Sequence, residues 1–202
     1  MNKPTDNQYP LQSDIQARWS PYAFAETPLT TDELGSVFEA ARWAPSAYNE
    51  QPWRFVIASK DVDPDTYAVI FGSMIDWNKM WTATAPILIA VVAKKTFSHD
   101  GSANPWGPYD AGQAAAYLSL QATSMGLYTH QMAGFDPAAL TEGLALSDDY
   151  APVALIALGH LGNPDTLPID PLKDKHNDVT RSRKPLSEVV LTKGGETSPL
   201  LG

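Results

Sequence analysis

The stretch ARWAPSAYNEQPWRFVIA, Ala41 to Ala58, sets two prolines, a serine, an asparagine, a glutamine and two tryptophans between what reads as a helix and a strand. Working backwards, Thr30 and Glu33 are spaced as a capping box, and Leu34, Val37, Phe38 and Ala41 recur at helical spacing. A helix is therefore predicted from about Thr31 to Trp43. Pro45 disfavours a helical residue before it and stops the helix at Ala44. Working forwards, Arg54 to Ser59 (RFVIAS) and Ile87 to Ala93 are rich in Val and Ile and read as strands. Between them, Asp65 to Thr84 is most simply one helix ending before Pro86. Asp110 to Met125 carries the strongest helix signal, with Asp110 as N-cap and Gly126 as the stop. Its small residues Ala111, Ala114, Ala115 and Ala122 let other elements approach closely, which places this helix centrally. Pro137 to Leu144 reads as a short helix and Val153 to Leu158 as a buried strand. Strands alternating with long helices point to a mixed α/β or α+β layer rather than a bundle or a sandwich.

A chain of 202 residues, 44% hydrophobic, can bury a full core in one domain spanning 1–202. About a dozen residues at each end (1–12 and 192–202) are polar or Gly/Pro-rich and are expected to be mobile unless something ties them down. A net charge of -9 and a pI near 4.7 argue against nucleic acid or an anionic membrane as partner. Cysteine is absent, which removes disulfides, thiolate metal sites and a cysteine nucleophile. The longest apolar run, Pro86 to Ala93, is too short to span a bilayer, and the polar start MNKPTDNQYP has no signal-peptide core, so a cytoplasmic protein is expected.

Four segments fall outside these regular elements: RWSPYAF (Arg18 to Phe24), the opening loop, HQMAGF (His130 to Phe135) and RSRKPLSE (Arg181 to Glu188). Together they offer a cationic end with a hydroxyl (Arg18, Ser20, Arg181, Arg183) and an amide-rich end (Asn49, Gln51, Asn78). Guanidinium groups bind phosphate bidentately, and amides suit the edge of a heteroaromatic ring, so a phosphorylated heterocycle fits both ends. Neither a GxGxxG fingerprint nor a P-loop is present to explain it otherwise. Arg18 alone would read as an ordinary surface arginine; its coincidence with Ser20 and the distal pair Arg181 and Arg183 turns the reading towards phosphate. Trp53, Trp77 and Trp81 read as packing residues. His99, His130, His160 and His176 show no metal-ligand spacing, His130 reads as packing rather than catalytic, and Ser46 lies in no G-x-S-x-G elbow.

In order and spacing these pieces resemble the nitroreductase family of FMN-dependent oxidoreductases. The resemblance rests on Arg18-x-Ser20-x-x-x-Phe24, then Pro45-Ser46-x-x-Asn49-x-Gln51-Pro52-Trp53, then Asn78 ahead of Ala85-Pro86. It continues with the Ala-rich helix ending Gly126-Leu127, and Arg181-x-Arg183 followed by Pro185-Leu186. It implies an α+β fold with a central mixed β-sheet flanked by helices, extended terminal segments, and a homodimer holding FMN at its interface. It further implies that Arg18, Ser20, Arg181 and Arg183 hold the phosphate and ribityl chain, with Trp19 also at the cofactor. Pro45, Ser46, Ala47 and Asn49 would approach from the partner chain, with Gln51 supporting their loop. Asn78 would bond the pyrimidine edge of the ring, and Gln131, Met132, Ala133 and Gly134 would pass along it.

The activity implied is transfer of reducing equivalents from NADH or NADPH through flavin N5 to a small electron-poor acceptor, a nitroaromatic or quinone, in a ping-pong cycle. The flavin carries the chemistry, so no general acid or base and no metal is expected. The chain departs from relatives at Tyr22, where many carry Arg or Lys, and at Trp81, where some carry Lys; positive charge near the N1/O2 edge is expected to be missing. Two alternatives stay open: a dehalogenase or ene-reductase of the same fold whose pocket is shaped by Phe97 to Tyr109 acting as a lid, and a non-catalytic dimer that binds or stores flavin.

Overall fold

The computed structural model describes residues 3–201; of the two expected tails, Met1, Asn2 and Gly202 lie outside the described residues. Four strands form one sheet: β1 (Trp53–Ser59), β2 (Ile87–Lys94), β3 (Tyr128–Met132) and β4 (Tyr150–Gly159). Their order is β1-β2-β4-β3 and every pairing is antiparallel, so the described sheet is not the mixed one expected. β2 is buried along nearly its whole length because helices cover both faces of the sheet. Its side chains alternate, as the pleat requires. Ile87, Ile89, Val91 and Ala93 enter one core with α2 (Thr31–Arg42) and α5 (Gly107–Ser124). Leu88, Ala90 and Val92 enter the other with α3 (Pro64–Gly72), α4 (Asp76–Thr82), α6 (Pro137–Gly143) and α7 (Asp170–Asn177). Ile89 and Leu118 are fully buried, each contributing about 1.5–3 kcal/mol relative to exposure.

The capping box forms as read: Glu33 N donates to Thr30 Oγ1 at 3.2 Å, and Thr30 N to the Glu33 carboxylate at 2.7 Å. α5 lies centrally, with Ala111, Ala114, Ala115 and Ala122 buried beneath the sheet, and Gly126 ends it at φ +74°. Its start differs from expectation. The helix begins a turn earlier, at Gly107, where a Cβ would meet Lys94 O at 2.6 Å, and Asp110 is no N-cap. The single helix expected over 65–84 is two, α3 and α4. Met74 bridges to Phe135 and Ile75 N donates to Gly134 O at 3.0 Å, and these tertiary bonds pull the backbone out of the helix.

β3 falls in a segment read as irregular; its polar sequence becomes strand by pairing with β4. The short α1 (Ser13–Ala17), α7 and α8 (Leu186–Val189) were likewise unmarked by periodicity. Near the N-terminus Lys3 is buried, donating to His176 O and Asp178 O at 2.6 Å each. Near the C-terminus, Thr192 N donates to Glu196 O at 2.8 Å and Ser198 N to Val190 O at 3.0 Å. Among the described residues no helix is long and apolar enough to cross a membrane.

Candidate functional site

α1 ends at Ala17, and the extended chain from Arg18 onward runs alongside the segment 178–183. This brings Arg18, Ser20, Arg181 and Arg183 together from opposite ends of the sequence. Arg18 Nη1 donates to Ser20 Oγ at 3.4 Å. Burial, then the charges of Arg181 and Arg183, press the Arg18 pKa downward, as expected for like charges packed together. Among the described residues no carboxylate pairs with Arg18, Arg181 or Arg183. Crowded guanidiniums with no carboxylate in ion-pair contact are the donor set that an anion completes.

The three arginines are not equivalent. Arg181 spends its fork on backbone, donating to Lys3 O at 3.0 Å, to Gln16 O and to Arg18 O at 2.8 Å. It shapes the site more than it faces it. Arg183 is exposed, with one bond to its neighbour Ser182 O at 2.7 Å. Trp19 turns its ring inward, 5% exposed, edge-on to Tyr128 and His176. His176, fully buried, accepts from Tyr22 N at 3.2 Å and Ala23 N at 3.0 Å through Nδ1, so its proton sits on Nε2. Burial, reinforced by the Lys3 charge, lowers its pKa to about 4. Nothing in the sequence marked His176 as the support under the Arg18 to Phe24 segment.

Three cavities meet at Arg18. One of about 310 Å³ lies between it and the 178–183 segment. One of about 350 Å³ joins Arg18 and Ser20 to Gln131, Thr129 and Ser119. The third, of about 600 Å³, is walled by the N-terminal segment and by Arg181, Arg183 and Lys184. Gln131 is anchored in the second by its amide, which donates to Ser119 Oγ at 3.1 Å and Ala115 O at 3.3 Å. Beyond it Met132 is buried and Ala133 exposed. Gly134 sits so close to α4 that a Cβ would lie 2.6 Å from Ile75 Cδ1 and 2.7 Å from Asn78 Nδ2. Asn78 Nδ2 donates to Gly134 O at 2.9 Å, and Asn78 Oδ1 accepts from Trp81 Nε1 at 3.3 Å. At 7% exposure Asn78 braces the Gly134 backbone, with one amide N–H left over.

Trp81 is buried at 1% exposure, stacked on His130 at 4.2 Å, and Tyr22 packs edge-on to both. The departures at Tyr22 and Trp81 therefore form one aromatic cluster that carries no charge. His130 Nδ1 meets Pro21 O at 2.8 Å, and burial lowers its pKa to about 4; its role is packing, as read. Trp53 is likewise core, and Trp77 is half-buried beneath Lys175.

The opening loop lies apart from these cavities within one chain. Tyr48, Asn49 and Gln51 all adopt positive φ (53°, 55° and 50°), a region costly for side-chain-bearing residues. Ser46 closes the turn: its Oγ accepts from Gln51 N at 2.9 Å and its carbonyl from Asn49 N at 3.1 Å. Two carboxylates clamp the loop, Glu50, which the sequence reading did not assign, and Asp110, which it read as a helix N-cap. Asp110 Oδ2 accepts from Ala47 N at 3.0 Å, while Glu50 accepts from Ser98 N and Oγ, with Lys94 Nζ 3.8 Å away. Phe97 and His99 pack on Tyr48, so residues 97–99 buttress the loop. Pro45, Tyr48, Asn49 and Gln51 face outward.

A model of the Nitroreductase family matches residues 15–160. A putative NADH dehydrogenase/NAD(P)H nitroreductase of Streptomyces coelicolor is 26% identical over 162 residues, covering 71% of this chain and 79% of that protein. An uncharacterized 15.4 kDa protein of Mycolicibacterium smegmatis is 32% identical over 148 residues, covering 69% and 95%. Among solved structures, an oxidoreductase containing FMN superposes with a TM-score of 0.85 at 34% identity over 96% of each chain. A putative nitroreductase from Desulfovibrio desulfuricans in complex with FMN shares the fold at TM-score 0.70 and 23% identity, covering 93% and 98%.

Proposed function

Because the chain belongs to the Nitroreductase family, we propose that it is an FMN-dependent oxidoreductase that takes reducing equivalents from NADH or NADPH and delivers them to a small electron-poor acceptor such as a nitroaromatic or quinone. The observation that carries this reading is the cluster of Arg18, Arg181 and Arg183 beside Ser20, without an ion-paired carboxylate among the described residues and open to cavities that reach Gln131. A phosphate monoester completes that donor set. When bound, FMN supplies a two-electron carrier able to exchange a hydride with both donor and acceptor.

The chain's own groups bind and orient. Arg18, Ser20 and Arg183 hold the phosphate, and Arg181 fixes the backbone on which Arg18 stands. Gln131 to Gly134 border the ring, with Gly134 held in place by Asn78 and Ile75. Pro45, Asn49 and Gln51 face outward from a strained, clamped loop in which Ser46 and Ala47 are half-buried, and this suits the loop to reach the cofactor of a second copy in a homodimer. No side chain is assigned as acid or base.

The test is an anaerobic absorbance spectrum of purified protein before and after NADH and then NADPH. Flavin bands that bleach with either nucleotide support the reading and name the donor. Bands that persist with both favour a flavin-binding module instead, and protein that takes up no FMN on reconstitution overturns it.

A further inference from the structure

Lys3 is 6% exposed, an uncommon place for a lysine. Its Nζ lies 4.0 Å from the centroid of the Trp19 ring and donates to His176 O and Asp178 O. These carbonyls stand at the C-terminal end of α7, where the helix dipole favours a cation. Its own carbonyl accepts from Arg181, the same guanidinium that grips Gln16 O and Arg18 O. Lys3 is thus stapled at once to α7, to Trp19 and to the arginine that shapes the anion site.

From this staple the chain continues as Thr5–Tyr9, which forms one wall of the cavity of about 600 Å³. Arg18, Arg183 and Lys184 stand on the other wall. The bonds recorded for the side chains of 5–9 are local: Thr5 Oγ1 to Asn7 Oδ1 at 2.6 Å and Asn7 Nδ2 to Tyr9 O at 2.8 Å. The segment is held at its ends, by Lys3 on one side and by Gln16 Nε2 donating to Leu11 O at 3.2 Å on the other. Tyr9 and Leu11, 54% and 40% exposed, are surface that closure would bury.

We propose that Thr5–Tyr9 is a strap, stapled by Lys3, that closes over a phosphorylated ligand held by Arg18 and Arg183 and slows its release. The identity of that ligand as FMN rests on the function proposed above; the strap rests on the cavity and the staple. A phosphate held by these cations would offer acceptors to the donors the strap carries, the Thr5 hydroxyl and the Asn7 and Gln8 amides, which line the same cavity.

The experiment is hydrogen–deuterium exchange of residues 5–9 in the full chain, wild type and Lys3→Met, without ligand, with FMN and with inorganic phosphate, alongside the FMN release rate by fluorescence. FMN is expected to slow exchange at 5–9 in the wild type, and Lys3→Met to abolish that slowing and release FMN about tenfold faster. Should Lys3→Met not fold, the ligand dependence in the wild type decides alone. FMN that binds while exchange at 5–9 stays the same overturns the strap and leaves the flavin reading standing. If FMN does not bind but inorganic phosphate slows exchange, the strap stands and the flavin reading falls. Exchange indifferent to both ligands overturns the strap.

Discussion

Replacing Gly134 by alanine tests the contact between the segment after β3 and α4. Gly134 does not have positive φ, so alanine meets no backbone penalty there and the cost is one of space. The new methyl would fall 2.6 Å from Ile75 Cδ1 and 2.7 Å from Asn78 Nδ2. Ile75 is 51% exposed, and its terminal methyl can swing into solvent at little cost. Asn78 cannot, because its amide is pinned between Gly134 O and Trp81 Nε1. Moving it means losing a buried hydrogen bond, about 1 kcal/mol net, and entering an off-rotamer geometry worth about 0.5–1.5 kcal/mol. Gly134→Ala should therefore cost about 1.5–2.5 kcal/mol, or roughly 3–10 °C in Tm for a chain of this size. In an Asn78→Ala background the main obstacle is gone and the same substitution should cost well under half as much. A double-mutant cycle by urea denaturation of the FMN-free protein reads this directly. Additive costs, or a Gly134→Ala protein as stable as wild type, would refute the reasoning.

Other outcomes follow from the same contacts. Arg181→Lys cannot reproduce three bonds from one planar fork and should cost about 1–3 kcal/mol in thermal unfolding, whereas Arg183→Ala should leave Tm unchanged and weaken FMN binding in a fluorescence titration. Tyr22→Arg introduces the missing charge and should raise the flavin potential by on the order of 30 mV, the equivalent of about 1.4 kcal/mol for a two-electron couple; an unchanged or lower value in a dye-equilibration titration rejects it. His130 and His176 are neutral in the fold down to about pH 4 but take a proton near 6.5 once unfolded, so the unfolded chain binds more protons between those values. Stability should be full above pH 6.5 and fall by roughly 3 kcal/mol per ring towards pH 4, a loss that His176→Gln should reduce; urea midpoints flat from pH 7 to 5 would contradict it. Glu50→Ala strands the Ser98 amide and should speed its hydrogen exchange about tenfold without changing far-UV circular dichroism.

The parts legible in the sequence are those fixed by local chemistry or by one clear period. Thr30 and Glu33 announce the start of α2, Ile87 to Ala93 announces a strand, and the alanines of α5 announce a central helix. What escaped was set by partners far away in the chain. The break at Ser73–Ile75 exists because Gly134 O accepts from Ile75 N, and β3 exists because β4 pairs with it. At the candidate site the arginines could be gathered by residue type and family spacing. Their division of labour could not, since only the fold shows that Arg181 is committed to three carbonyls while Arg183 faces solvent. Asp110 is the sharpest case: a sound N-cap by sequence, its carboxylate instead receives Ala47 N because Gly107 lets α5 start a turn earlier.

That same carboxylate bears on why the loop around Ser46 keeps its shape. Three residues at positive φ within four positions cost about 1–2 kcal/mol each, a strain that folding alone gives no reason to retain. The offsetting bonds come from both sides: Asp110 holds Ala47 N, Ser46 closes the turn on Gln51 N, and Glu50 ties the far end to Ser98. A relaxed loop could hide Tyr48 and turn Asn49 inward; the clamped one keeps Tyr48 84% exposed and presents the amides of Asn49 and Gln51 to the outside. Such rigidity has its physical use when the loop must meet something already positioned, because ordering completed during folding is not charged again on binding. In the proposed function that something is the cofactor of a second copy, and the strain is the cost of holding the amides ready for it.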